Sequence, residues 1–268
     1  MNGAVTVGGV LAAARAEGRA ALVGYLPAGF PDVAVSIEAM RAMVEGGVDV
    51  VEVGVPYSDP LMDGPVIQRA VEAALRQGTR PRDGIAAAGA VADAGAPALV
   101  MTYWNPVDRY GVDRFAADLA SAGGSGLITP DLIPDEGQEW DAAADAHGLD
   151  RIYLVAPSST EERLRMTTSH CRGFVYATAV MGVTGARTTT SSLAAPLVER
   201  VRAVTELPIG VGLGVSNGDQ AAEVASYADG VIVGSAFVRA LLDASDRASG
   251  LSALRTLTTD LADGVRRG

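Results

Sequence analysis

The sequence predicts an α/β fold, a single-domain (β/α)8 TIM barrel over residues 1–268, with an extra N-terminal helix and long loops after strands 2 and 6. Three observations predict it. Short β-branched runs alternate with segments of helical spacing along the whole chain, the pattern of βα units and a parallel sheet. The count comes to eight strands with a crossover after each, which favours a closed barrel over an open doubly wound sheet. The length, 268 residues without a linker or low-complexity segment, matches the roughly 250 residues of a one-domain barrel.

Taken in order, Val7-Gly8-Gly9-Val10-Leu11 reads as a short amphipathic helix against the bottom of the domain. No positive charge precedes it, as a signal peptide would require. Strand-like runs follow at 21–26, 48–55, 98–104, 126–129, 150–155, 174–180, 209–213 and 230–233. Between them, helical spacing covers 33–45, 82–94, 112–122, 135–147, 161–169, 192–204 and 219–226. Helix starts carry Ser, Thr or Asp, as in Ser158-Ser159-Thr160-Glu161-Glu162, where a side-chain oxygen would accept a free backbone N–H. Surplus residues gather at 56–78 and 181–191, and long loops of this kind carry function more often than structure.

Composition narrows the chemistry. Apolar residues make up 49% and charged ones 20%, enough to build a compact core. A net charge of -11, spread over the length, speaks against nucleic acid and anionic membranes as partners. No stretch approaches the ~18 apolar residues of a membrane span. The single cysteine, Cys171, excludes an internal disulfide and fits a reducing, cytoplasmic setting. All 21 basic residues are arginine, so Schiff-base chemistry has no lysine to use. The two histidines, His147 and His170, sit within or beside helical segments and do not form a metal cluster. Neither a Gly-x-Ser-x-Gly elbow nor a Walker sequence occurs.

Acid–base chemistry by carboxylates remains. Glu52 stands among valines in the second strand run, toward the end where barrel sites are built. A buried, unpaired carboxyl there holds its proton near neutral pH and suits a general acid; the plainer reading is a Glu paired with an arginine in the barrel floor. Asp63 lies in the following loop, framed by Pro60, Gly64 and Pro65, whereas Asp59 before Pro60 reads as a turn residue. Glycine-rich segments at 182–185, 210–216 and 234–236 expose backbone N–H groups at the ends of the last three strands. Each alone is a tight turn; together they match the phosphate sites of barrels.

The run Val51-Glu52-Val53-Gly54-Val55-Pro56-Tyr57-Ser58-Asp59-Pro60-Leu61-Met62-Asp63-Gly64-Pro65-Val66-Ile67-Gln68 resembles the signature of the tryptophan synthase alpha chain family. Further matches, in order along nearly the whole chain, are Tyr25-Leu26-Pro27-Ala28-Gly29, Tyr103-Trp104-Asn105-Pro106, Pro130-Asp131-Leu132, Gly182-Val183-Thr184-Gly185, Gly212-Leu213-Gly214-Val215-Ser216 and Val233-Gly234-Ser235-Ala236. The resemblance implies a lyase of tryptophan biosynthesis that splits indole-3-glycerol phosphate into indole and glyceraldehyde 3-phosphate. It implies a beta-chain partner in a heterotetramer of two alpha and two beta chains, with pyridoxal phosphate in the beta chain only and no cofactor or metal here.

By the same resemblance, Glu52 is the acid/base that protonates indole C3 and Asp63 the acid that holds the indole N–H. Tyr25, Met101, Tyr103, Leu127, Thr129, Tyr176, Leu213 and Ile232 would line the substrate pocket, and Thr184 would meet Asp63 on loop closure. Gly185, Gly214, Gly234 and Ser235 would cradle the phosphate, and Asp59, Pro60 and Asn105 would face the partner. Two departures stand out: Ala177-Thr178-Ala179-Val180-Met181 lacks the polar residues many relatives carry there, and Leu213 replaces an aromatic. Two other readings compete, a stand-alone lyase releasing free indole and a catalytically silent regulatory subunit; the intact acid pair argues against the second.

Overall fold

The computed structural model describes residues 6–178 and 193–268, and these fold as nine parallel strands within a ring of helices. The strands are β1 (Ala21–Pro27), β2 (Val50–Gly54), β3 (Ala98–Met101), β4 (Gly126–Ile128), β5 (Asp150–Ile152), β6 (Leu154–Val155), β7 (Val175–Thr178), β8 (Ile209–Gly212) and β9 (Gly230–Val233). The helices are α1 (Val7–Ala16), α2 (Val33–Glu45), α3 (Pro65–Arg76), α4 (Pro81–Asp93), α5 (Trp104–Tyr110), α6 (Val112–Ser121) and α7 (Gln138–His147). They continue as α8 (Glu161–His170), α9 (Ala194–Arg202), α10 (Gly218–Ala225), α11 (Ser235–Leu242) and α12 (Arg247–Val265).

The sheet runs β5-β4-β3-β2-β1-β9-β8-β7-β6, with every pairing parallel. The run 150–155, expected as one strand, is two. β5 pairs only with β4 and β6 only with β7, so the chain at Tyr153 hands the ring from one neighbour to the other. Tyr153 is buried; its hydroxyl donates to Asp141 Oδ1 at 2.7 Å on α7, and its carbonyl accepts the Tyr176 N–H of β7 at 3.2 Å.

Side-chain alternation along the strands divides the core in two. Ala21, Val23, Val50, Leu99, Ile128, Ile152, Phe174 and Ile232 fill the barrel interior together with Val7, Leu11 and Ala14 of α1. The N-terminal helix, longer than the five residues first read, therefore plugs the end at which the strands begin, with Thr6 capping it through a bond from the Gly9 N–H. The neighbouring positions, such as Leu22, Val51, Val53, Val100, Leu127 and Val211, pack against the helices in the larger cluster. Burying each such side chain contributes about 1.5–3 kcal/mol.

The first expected long loop, 56–78, is half helix. Pro65 pre-sets the first turn of α3 after Gly64, and Ile67, Ala70, Val71 and Ala74 recur at helical spacing on its buried face. Strand β3 stops at Met101 where 98–104 was read as extended, because Trp104 already opens α5, with Asp131 accepting the Trp104 N–H at 2.9 and 3.1 Å. Helices α11 and α12 complete the ring after the last strand, beyond the helices named from the sequence. The other long loop, 181–191, lies outside the described residues. Among the described residues no helix is long and apolar enough to cross a membrane.

Candidate active site

Glu52 occupies the interior face of β2, between Val50 below it and Gly54 at the strand end. Its register neighbours are Tyr25 on β1 and Leu99 on β3, so no basic side chain stands beside it. The residue is 1% exposed, and among the described residues its Oε1 is the buried side-chain oxygen left without a hydrogen-bond partner. The alternative of an ion pair with a floor arginine is not what the fold builds. Burial without compensation pushes the carboxyl up from its ordinary 4.5 to about 8, so the group carries a proton at neutral pH.

Asp63 reaches the same cavity from the loop between β2 and α3. Its Oδ1 accepts the Tyr103 hydroxyl at 2.9 Å, and its backbone carbonyl accepts Gln68 Nε2 at 2.8 Å from the first turn of α3. Burial raises this carboxyl as well, while the Tyr103 bond opposes the rise. Two carboxyls in one cavity therefore differ in kind: one is bare, the other held.

Tyr25, the register neighbour of Glu52 on β1, lines the cavity with them. A Cβ on Gly54 would fall 2.4 Å from the Tyr25 hydroxyl, and one on Gly234 would sit 3.4 Å from its ring. Glycine at position 54 is thus what leaves room for the phenol. Met101, Tyr103, Tyr176, Leu213 and Ile232, which the family resemblance proposes for the pocket, line the same cavity. No arginine lines this cavity among the described residues.

At the opposite wall the cavity ends on Gly214, Gly234 and Ser235. Gly214 has φ +83°, open to glycine at no cost. Ser235 begins α11, and no side chain caps that helix, so its first N–H groups and the positive end of its dipole are left to an anion. Phosphate binding fits this end of the cavity.

Two of the expected pocket residues fall elsewhere. Leu127 packs outward in the helix-facing cluster while its neighbour Ile128 faces the interior, because β4 alternates and the expectation took the wrong parity. Thr129 is buried but is absent from the cavity lining. Thr184 and Gly185 lie outside the described residues. Asp59 is exposed and Pro60 half-buried in the segment between β2 and α3, with Asp59 Oδ2 accepting Ser58 Oγ at 2.5 Å, and Asn105 is exposed in the first turn of α5. His147 and His170 end α7 and α8, at 3.1 Å from Asp113 and 2.6 Å from Asp141, far from any shared ligand role.

The sequence reading missed Leu154, Thr178 and Ile67, which also line the cavity. Thr178 was within reach, since it follows Tyr176 by the strand period of two. Ile67 was hidden by the unread helix α3. The Tyr103–Asp63 bond carried no local signal at all, because its partners come from different loops.

The family model described as "Tryptophan synthase alpha chain" matches residues 11–266. The tryptophan synthase alpha chain of Salinispora arenicola is 66% identical over 253 residues, 94% of this chain and 95% of that one. That of Thermobifida fusca is 65% identical over 259 residues, 96% of each. Among solved structures, tryptophan synthase from Mycobacterium tuberculosis superposes with a TM-score of 0.92 at 62% identity, covering 98% of both chains. The tryptophan synthase subunit alpha of Legionella pneumophila still reaches 0.85 at 32% identity, covering 97% of both.

Proposed function

The chain belongs to the tryptophan synthase alpha chain family, and from that premise we propose how its cavity divides the chemistry between Glu52 and Asp63. The reaction is the lyase step of tryptophan biosynthesis, cleavage of indole-3-glycerol phosphate to indole and glyceraldehyde 3-phosphate.

The single observation that carries the assignment is the bare, buried Glu52 carboxyl, protonated up to about pH 8. In this reading it delivers its proton to indole C3. The ring nitrogen then becomes cationic, and Asp63, ionised and fixed near it, stabilises charge that is absent from the ground state. The Glu52 carboxylate next takes the proton of the glycerol hydroxyl adjoining the ring. As that O–H is lost the C–C bond breaks, its electron pair returns to the ring system, and indole and the aldehyde separate. One proton enters at carbon and one leaves from oxygen, so Glu52 ends the cycle protonated as it began.

Gly214, Gly234 and Ser235 hold the phosphate in this scheme; the roles expected of Gly185 and Thr184 fall on residues outside those described. Tyr25, Met101, Tyr176, Leu213 and Ile232 enclose the indole. An alpha chain works with a beta chain, and the exposed Asp59 and Asn105 with the half-buried Pro60 suit that contact. We assign the pair an assembly of two alpha and two beta chains, pyridoxal phosphate to the beta chain alone, a single domain to this chain and the cytoplasm to the complex.

The test is Glu52→Gln, which keeps shape and removes the transferable proton. Indole formation should fall by at least about 1000-fold with ligand binding retained, and wild-type kcat/KM should decline as pH rises through about 8 as Glu52 loses its proton. Wild-type turnover in the mutant would sink the assignment.

A further inference from the structure

The orientation of Asp63 depends on a phenol that takes no part in the proton transfers. Tyr103 ends the path of β3 toward the cavity and stands at the N-cap of α5, a helix start that Asp131 anchors at Trp104. Its hydroxyl oxygen accepts the backbone N–H of Met62 at 2.9 Å and its hydroxyl hydrogen goes to Asp63 Oδ1 at 2.9 Å. A phenol has one hydrogen to give. With the backbone N–H on its lone pair, that hydrogen has one direction left, and it is the carboxylate. The ring itself is buried and leans on Tyr57, with centroids 5.3 Å apart and planes at 37°. Among the described residues nothing bonds the second oxygen, Oδ2, of Asp63.

We propose that Tyr103 is a positioning residue for the cleavage: it occupies one oxygen of Asp63 and so presents the other, fixed in direction, to the N–H of an indole in the cavity. The inference rests on the assignment of Asp63 to the indole nitrogen. It moves Tyr103 from the pocket wall, where sequence reasoning put it, to the support of a charged group. The bond favours the ionised form of Asp63 against the burial that raises its carboxyl. The other titratable groups facing the cavity are Glu52 from β2, Tyr25 from β1 and Tyr176 from β7. None is cationic, so the phenol is the polar support that the described residues supply.

The experiment follows kcat and KM for indole-3-glycerol phosphate against pH, using the full chain with its beta chain. Tyr103→Phe should lower kcat roughly 10-fold with KM within about twofold, and move the acid limb upward by roughly half to one pH unit, the effect of one lost hydrogen bond to a carboxylate. The alkaline limb, which belongs to Glu52, should stay in place. Site-specific 3-fluorotyrosine at position 103 keeps every contact and is a stronger donor, so it should move the acid limb downward; it decides the matter even if Tyr103→Phe fails to fold. An acid limb unmoved by the fluorinated residue overturns the proposal. Asp63→Asn separates the two claims. If that variant turns over as wild type, the assignment of Asp63 is wrong; if it is inactive while the acid limb ignores residue 103, only the role of Tyr103 falls.

Discussion

The floor of the barrel and the site of Glu52 at the other end treat a carboxylate in opposite ways. At the floor, Asp49 takes both guanidinium arms of Arg19 at 2.8 and 2.9 Å and the Leu22 N–H at 2.8 Å. Asp229, 5% exposed, accepts the Ile209 N–H at 2.9 Å and meets Arg202 at 3.1 Å. At the mouth, Glu52 is buried more deeply and its Oε1 has nothing. Asp49 and Glu52 stand toward opposite ends of one strand path, so chemistry and not topology separates them. Asp49 and Asp229 tie strands together and are satisfied; Glu52 has to give up its proton, and satisfaction would hold it ionised.

The sharpest way to break this contrast is to compare stability with pH in wild type and Glu52→Gln. The folded protein keeps the Glu52 proton up to about pH 8, whereas the unfolded chain releases it near 4.5. Stability contributed by the protonated group is thus fully present below about 4.5 and lost as pH rises through about 8, by up to about 5 kcal/mol over the window. Urea unfolding at pH 5, 7 and 9 should show the mutant gaining on wild type as pH rises. Parallel curves would mean that Glu52 is not bare.

Truncating the floor plug comes next. Leu11 is fully buried between α1 and the barrel interior, and Leu11→Ala should cost about 2–5 kcal/mol through the cavity it leaves. Turnover per folded molecule should not change; a fall in kcat at constant fold would join the two ends that the contrast separates. The smallest effect is expected from Asp229→Asn, which keeps an acceptor for the Ile209 N–H but loses the charge opposite Arg202. About 1 kcal/mol should be lost, with neither limb of the pH–rate profile displaced. A displaced limb would show that floor charges reach the mouth.

The barrel was legible because its signals are local. β-branched runs such as Val50–Gly54 and capped starts such as Thr160, which accepts the Arg163 N–H, stand close to where they were read. What failed was whatever depends on a partner distant in sequence. The end of β3 at Met101 is decided by Asp131 accepting at Trp104, and the division of 150–155 by which neighbour each half pairs with, β4 or β7. The site divides in the same way. Glu52 could be found because a carboxylate among valines conflicts with its own surroundings, a conflict visible on one strand. Leu127 went astray on a single step of strand parity, which three residues of β4 are too short to fix. The support of Asp63 by Tyr103 joins residues forty positions apart and left no mark on either segment.

The hand-over at Tyr153 works as a buckle, one stretch of chain holding both ends of the sheet. Every other join around the circumference is a ladder of hydrogen bonds between two strands, but here the two edges belong to one strand and are joined by covalent bonds. Backbone bonds tie that stretch to the β7 side as well, Arg172 N–H to the Arg151 carbonyl at 2.9 Å and Tyr176 N–H to the Tyr153 carbonyl at 3.2 Å, so the ring is fastened at that place too. That place carries Leu154, the next residue, into the lining of the cavity.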